Sequence, residues 1–401
     1  MELILIGASC RAAAQSAVRA GYRPVAFDLY GDRDLGATCD NHVVAREDFP
    51  NALPELLRPF DAAVPVVFCG GLENHPRTLE RLAETRPVLG CVDALADLRR
   101  PGALVAAFRD TEIRCPDVAT FGDPSPSDLH GWLEKSVWRC GGDRVRAAES
   151  PLESADSYLE RRVDGIALSA AFVADPNRCQ CLGITRQLVG EPRFQGGIYS
   201  YCGSIAPYVL ASKIEDQIRL AGERIADHFS LRGLFGIDFV ADGSSAWVIE
   251  VNARYPASIE ILEELYGYSA MELHVEACRG TIDDVPLVPV ATDPDAEDSD
   301  DETDADDATD AESDDDEEYE DDDEIFVGKA ILFAERDAVA SIDWESRDGW
   351  PEIADLPPVG QRINAGEPVA TVFARDTEFG ACFRKLEKRA KALEESLASE
   401  S

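Results

Sequence analysis

Lysine is nearly absent from this 401-residue chain: of 38 basic residues only 6 are lysines, and Lys135 and Lys213 are the two that precede residue 329. Methionine is scarcer still, with 2. No run approaches the roughly 20 apolar residues that a membrane helix needs, and residues 1–7 lack the basic flank and long apolar core of a signal peptide. A cytoplasmic protein is therefore expected. The 11 cysteines include no CxxC pair and no nearby histidine partner, which favours reduced, mostly buried thiols over a zinc site. Nor is there a basic stripe to set against a net charge of -40, so repulsion excludes nucleic acid and anionic membrane as partners.

What the chain has in abundance is acid. Residues 293–324 hold 22 of its 78 Asp and Glu with no Lys or Arg, leaving -18 elsewhere. Having almost nothing apolar to bury, this tract reads as a solvated linker over residues 291–325. The rest, acidic and lysine-poor, has the composition of proteins kept soluble in high salt, where screening removes much of the self-repulsion. A halophilic protein is expected. Apolar residues still make up 45% of the chain, and its length predicts two to four domains.

Residues 1–95 read as a small parallel α/β domain: strands at 2–7, 23–28 and 62–68 alternate with an Ala-rich helix at 11–20 and a helical stretch between 49 and 57. Its ligand end lies at the carboxyl ends of the strands, where the turn at Gly7 and the loop from Cys69 to Asn74 are expected to meet. A dinucleotide fingerprint is missing, since only Gly7 follows the first strand. Glu73 and Asn74, placed after Gly70-Gly71, are candidates for substrate contact. Residues 96–290 form a second, mixed region. It contains strands at 132–135, 157–163 and 166–174, an amphipathic helix at 214–229, and two strands, 234–240 and 246–251, that pair across a turn. Residues 326–401 make a third, β-rich unit ending in a charged helix.

A lysine retained against a strong arginine bias suits a point contact with phosphate. Lys135 ends a strand shortly before Gly141-Gly142, so a cation and a Gly-rich loop can cover one polyphosphate. On the hairpin, Asp238 faces Glu250, and Asn252 and Arg254 follow on the same face at two-residue steps. Three hard oxygen donors there can hold Mg²⁺, with Mn²⁺ as a substitute, and the guanidinium can neutralise transferring charge.

Gly236-Ile237-Asp238, twelve residues before the sequence Glu250-Val251-Asn252-Ala253-Arg254, resembles the metal-binding hairpin of ATP-grasp ligases. Lys135 with Gly141 and Gly142 resembles their phosphate lysine and mobile loop, and Leu159-Glu160 through Val163-Asp164-Gly165 resembles their adenine hinge. Arg11 to Gln15, Gly71 to Pro76, Thr185-Arg186-Gln187 and Tyr201 to Pro207 resemble, more narrowly, a group of predicted ATP-dependent carboligases related to biotin carboxylase.

The resemblance implies an ATP-grasp fold, α/β and α+β, preceded by a Rossmann-like domain. It implies that ATP converts a carboxylate to an acyl phosphate, which a small-molecule amine then displaces. Lys135 would hold phosphates, Glu160 and Val163 the adenine, and Asp238, Glu250 and Asn252 the Mg²⁺. Arg254 would stabilise the transferring group, and Arg186 and Gln187 are candidates beside the acyl phosphate. A carboxylase-like reaction through carboxyphosphate, using bicarbonate, is the alternative within enzymes. An inactive nucleotide sensor is the alternative outside them.

Three departures from the family pattern stand beside the match, and the first two are the best support for the sensor. Arg144 stands where the loop often has Gly, Ala167 where an acid often holds the ribose, and no second phosphate lysine is visible, Arg99 or Arg100 standing in its place. The 358–372 segment resembles half of a biotinyl barrel, but without Met-Lys-Met no biotin attachment site is expected, and a lid or packing unit is favoured. A homo-oligomer is compatible with the sequence.

Overall fold

A computed structural model describes residues 1–142, 144–280, 282, 325–340 and 352–399. The expected linker at 291–325 lies outside the described residues but for Ile325, as does residue 143 of the Gly-rich loop.

Near the N-terminus five short strands form a parallel sheet in the order Asp40–Val43, Arg23–Asp28, Glu2–Ile6, Val66–Phe68, Val88–Leu89. The central strand is buried on both faces, from Leu3 to Ile6, which is why it reads as an unbroken apolar run. The chain order reverses beside it, and the two loops at the carboxyl ends of Glu2–Ile6 and Val66–Phe68 do meet: the Ala8 amide donates to the Gly70 carbonyl at 2.8 Å. This crevice is where open α/β sheets receive ligands.

A second sheet of eight antiparallel strands forms the body. Its order is Ala246–Asn252, Gly233–Ala241, Ile166–Ala174, Cys179–Val189, Tyr201–Ala206, Phe326–Phe333, Pro368–Asp376, Ile353–Ala354. Strands beyond residue 325 therefore continue the sheet that carries the hairpin. Helix Ser212–His228 packs Ile214, Ile218, Ala221 and Ile225 onto one face, and Gly222 lies so close to the Phe172 ring that a Cβ would come within 2.1 Å of it. A third, four-stranded sheet (Val118–Ala119, Ser157–Arg161, Trp132–Ser136, Arg146–Ala147) stands over the first strands of the large one. The cleft between these two sheets holds the site.

One buried ionic network ties distant parts of the chain together. Arg11, on the first helix, pairs with Glu260 on helix Ile259–Tyr266, and its Nε and Nη2 donate to Asp355 at 2.9 and 3.0 Å. Lys329, from the sixth strand of the large sheet, donates to Glu260 at 3.0 Å. Burial alone would raise the pKa of Glu260, but Arg11 and Lys329 together hold it below the usual carboxylate value. Asp355 is likewise held low, with Arg11 opposing its burial. Removing one member of such a set leaves uncompensated buried charge.

Arg11→Met should lower the free energy of unfolding at pH 7 by about 3–5 kcal/mol, measured by denaturant titration. Because the folded-state pKa values of Glu260 and Asp355 are depressed, the stability they contribute is present above the ordinary carboxylate range and is lost as pH falls through their folded values. The deficit of the variant should therefore shrink below about pH 4. A deficit independent of pH would contradict the ionic account.

Candidate active site

The hairpin Gly233–Ala241/Ala246–Asn252 places Asp238 directly opposite Glu250 and Gly236 opposite Asn252, with a bulge just after Asp238. That register brings the polar tips together. Asn252 Nδ2 donates to Asp238 Oδ2 at 3.1 Å, and Arg254 Nη2 donates to Asn252 Oδ1 at 3.1 Å. From the neighbouring strands Gln187 Nε2 donates to Asp238 Oδ1 at 2.9 Å, and Ser169, the cross-strand partner of Asp238, hydrogen-bonds it as well. Burial first, then the adjacent Glu250, pushes the Asp238 carboxyl up to about 6.

The cleft is a cavity of about 620 Å³. Lys135, Gly141, Gly142, Glu160, Val163, Gln187, Asp238, Glu250, Asn252 and Arg254, all expected from the sequence, line it together. Lys135 and Glu160 form an ion pair from adjacent strands. Glu160 is nonetheless shifted upward, because burial outweighs the lysine. The Gly-rich loop needs its glycines. Gly141 and Gly142 have φ of 66° and 81°, and a Cβ on Gly142 would lie 1.8 Å from the Tyr199 carbonyl oxygen. The Tyr201 amide donates to the Gly141 carbonyl at 3.2 Å. Arg144 adopts the left-handed region itself, at φ 59°, so the backbone course is kept without the missing glycine. Ala167 lines the cavity and offers no polar group to a ribose.

The N-terminal domain closes one wall. Arg254 Nε donates to Glu73 Oε1 at 2.8 Å, and Gly70 sits against the same guanidinium, where a Cβ would come within 3.6 Å of Nε. Burial works to raise the pKa of Glu73, but Arg254 and then Arg99 outweigh it and hold the carboxylate below its ordinary value. Asn74 Nδ2 contacts Cys140 Sγ at 3.4 Å. Burial pushes the Cys140 thiol up to about 11, which leaves it protonated at neutral pH and unsuited to nucleophilic attack.

Arg186 does not join this group. Successive residues of a strand face opposite ways, and while Gln187 points at Asp238, Arg186 stacks over the Phe379 ring at 5.2 Å. Tyr201, which the sequence showed only as part of a family-like motif, also lines the cavity, as do Ser258 and Cys140, which sequence reasoning did not single out. It left Arg99 and Arg100 as alternatives, and the structure places Arg99 on Glu250, Nη1 to Oε1 at 3.0 Å.

The donor set fits a divalent ion of the Mg²⁺ kind. Among the described residues no three His, Cys, Asp or Glu gather as a self-sufficient metal cage. Two carboxylates and one amide oxygen, with phosphate oxygens completing the shell, are what Mg²⁺ at a nucleotide typically takes.

Residues 103–258 match the family model of the ATP-grasp domain. Among curated sequences, the carbamoyl phosphate synthase large chain of Vibrio vulnificus is 21% identical over 236 residues, 56% of this chain and 21% of that one. The curated relatives are thus far longer than the part matched. Among solved structures, L-amino acid ligase from Bacillus licheniformis is 13% identical, with a TM-score of 0.65 over 100% of this chain and 99% of that one. The biotin carboxylase domain of Hydrogenobacter thermophilus 2-oxoglutarate carboxylase, solved with MgADP, ADP and bicarbonate, is 12% identical, with a TM-score of 0.69 over 98% of this chain and 90% of that one.

Asp238 should cost the metal-free protein stability. Its folded pKa of about 6 lies above the ordinary 3.8, so the stability associated with its protonated form is complete below about pH 4 and is lost as pH rises through about 6. In EDTA, Asp238→Asn should be more stable than the parent at pH 8, by on the order of 1–3 kcal/mol. The gain should vanish near pH 4. Equal stability at pH 8 would show that the carboxylate is already neutralised.

Proposed function

We propose that this ATP-grasp protein uses ATP to activate a carboxylate and passes the acyl group to an amine. The observation that carries the reading is the convergence, in one 620 Å³ cleft, of the Asp238–Glu250–Asn252 set with Lys135, Gly141-Gly142 and Arg254. A site built only to bind a nucleotide has no use for the whole assembly.

In this reading the adenine lies against Val163 and Glu160, and the polyphosphate runs toward Lys135 under the Gly-rich loop. Asp238, Glu250 and Asn252 would hold Mg²⁺, which would supply Lewis-acid charge at the phosphates. The substrate carboxylate oxygen attacks the γ-phosphorus, ADP leaves, and an acyl phosphate forms. The amine nitrogen then attacks the acyl carbon, the carbon–oxygen bond breaks, and phosphate departs, the amine proton passing to solvent or phosphate. Arg254 sits where it can neutralise charge on the phosphoryl group or the tetrahedral intermediate, and its pairing with Glu73 fixes its direction. Gln187 is the group on the substrate side that lines the cleft, while Glu73 and Asn74 stand behind Arg254 and Cys140 and set their positions.

The test is release of ADP and phosphate in molar salt with Mg²⁺, from pools of carboxylates plus amines and, separately, from bicarbonate. Turnover with the carboxylate and amine pools, reduced about 100-fold or more by Lys135→Ala and by Glu250→Ala, is the expected result. Turnover confined to bicarbonate points to the carboxyphosphate route. Tight ATP binding without turnover in any pool points to a sensor.

A further inference from the structure

Arg99 caps the helix Val92–Leu98, and its side chain is about nine-tenths buried where it reaches into the cleft. Its Nη1 donates both to Glu250 Oε1 at 3.0 Å and to the Arg139 carbonyl at 3.1 Å. Its Nη2 is buried without a hydrogen-bond acceptor, and Glu73 Oε1, 3.7 Å away, is already engaged by Arg254 at 2.8 Å. One half of the guanidinium therefore occupies a metal-ligand oxygen, and the other half is unsatisfied.

Resting on the metal and nucleotide placement argued above, we propose that Arg99 is an exchange cation. It neutralises Glu250 while the cleft is empty and transfers to nucleotide phosphate when a divalent ion takes Glu250. A guanidinium and a divalent cation repel one another on the same carboxylate oxygen. Metal binding to the empty cleft must break the Arg99–Glu250 pair and leave a buried cation with only the distant Glu73 carboxylate, already engaged by Arg254, to balance it, which is unfavourable. A polyphosphate removes that cost, because phosphate oxygens accept from a guanidinium in the fork geometry. The long side chain allows the transfer without moving the helix. Metal and nucleotide then each strengthen the binding of the other by the same factor, as linkage requires. Arg99 acts here as a positioning residue whose role is to make the two ligands arrive together.

The experiment measures Mn²⁺ binding to the full chain from the electron paramagnetic resonance signal of free Mn²⁺, with and without ATP. ATP binding is measured by calorimetry in EDTA. Molar KCl screens long-range charge to about 3 Å, so a general effect of removing one positive charge is suppressed and the buried pair is read. Arg99→Met should bind Mn²⁺ about tenfold more tightly than the parent without nucleotide and bind metal-free ATP about tenfold more weakly, and the enhancement of Mn²⁺ affinity by ATP should fall accordingly.

Arg99→Gln, which keeps a donor for the Arg139 carbonyl, carries the same expectation where the methionine variant does not fold. Unchanged nucleotide-free Mn²⁺ affinity in the neutral variants, or an ATP enhancement equal to the parent's, overturns the exchange. Failure of the parent to bind Mn²⁺ even with ATP overturns the metal site itself, and the exchange with it.

Discussion

Two carboxylates forced side by side in a buried place are the constraint around which this molecule is arranged. Strand pairing sets Asp238 against Glu250, and burial with mutual repulsion lifts Asp238 to about 6. Within the hairpin the Asn252 amide relieves part of that repulsion, and the rest of the relief comes from elsewhere: an amide from Gln187 and the guanidinium of Arg99 on Glu250. A local arrangement that costs stability and persists is characteristic of sites whose ligand supplies the missing charge. In the proposed reading a divalent ion with a polyphosphate would supply it, with the polyphosphate lying along the Gly-rich loop and Lys135, which line the same cleft.

The remaining architecture holds the cleft around this pair. Arg254 extends the hairpin face into the N-terminal domain through Glu73. Farther out, Arg11, Glu260, Lys329 and Asp355 bind the first helix, the helix that follows the hairpin and the C-terminal strands into one buried network. Glu260 lies two residues beyond Ser258, which lines the cavity. The network therefore fixes a wall of the site as well as the join between sheets. In a chain with so few lysines, two of them, Lys135 and Lys329, are spent on paired, largely buried carboxylates.

Much of the site is legible in the sequence because its chemistry depends on spacing within single strands. Asp238, Glu250, Asn252 and Arg254 are found from a period of two and one turn, and the structure brings them together as that period requires. Arg186 and Gln187 are adjacent, and without a register the sequence could not say which faces the cleft; the pairing of the strand Cys179–Val189 decides for Gln187. That strand and Tyr201–Ala206 were themselves hard to read. The first is buried on both faces through Cys181–Thr185, so it shows no alternation. The second is made of small residues around Gly203, where both the φ of 144° and a neighbouring strand passing within 2.1 Å of where a Cβ would stand require glycine. Arg99 was visible only as one of two neighbouring arginines, since its pairing with Glu250 joins positions 151 residues apart.

The central claim is that a carboxylate oxygen attacks ATP in this cleft, and the fate of that oxygen tests it most directly. Turnover with a pool of ¹⁸O-carboxylates and a pool of amines, followed by ³¹P resonance of the released phosphate, reports which bond was made. One ¹⁸O per phosphate is the outcome this account predicts. Phosphate without label, released while ADP and the coupled product accumulate, would contradict it.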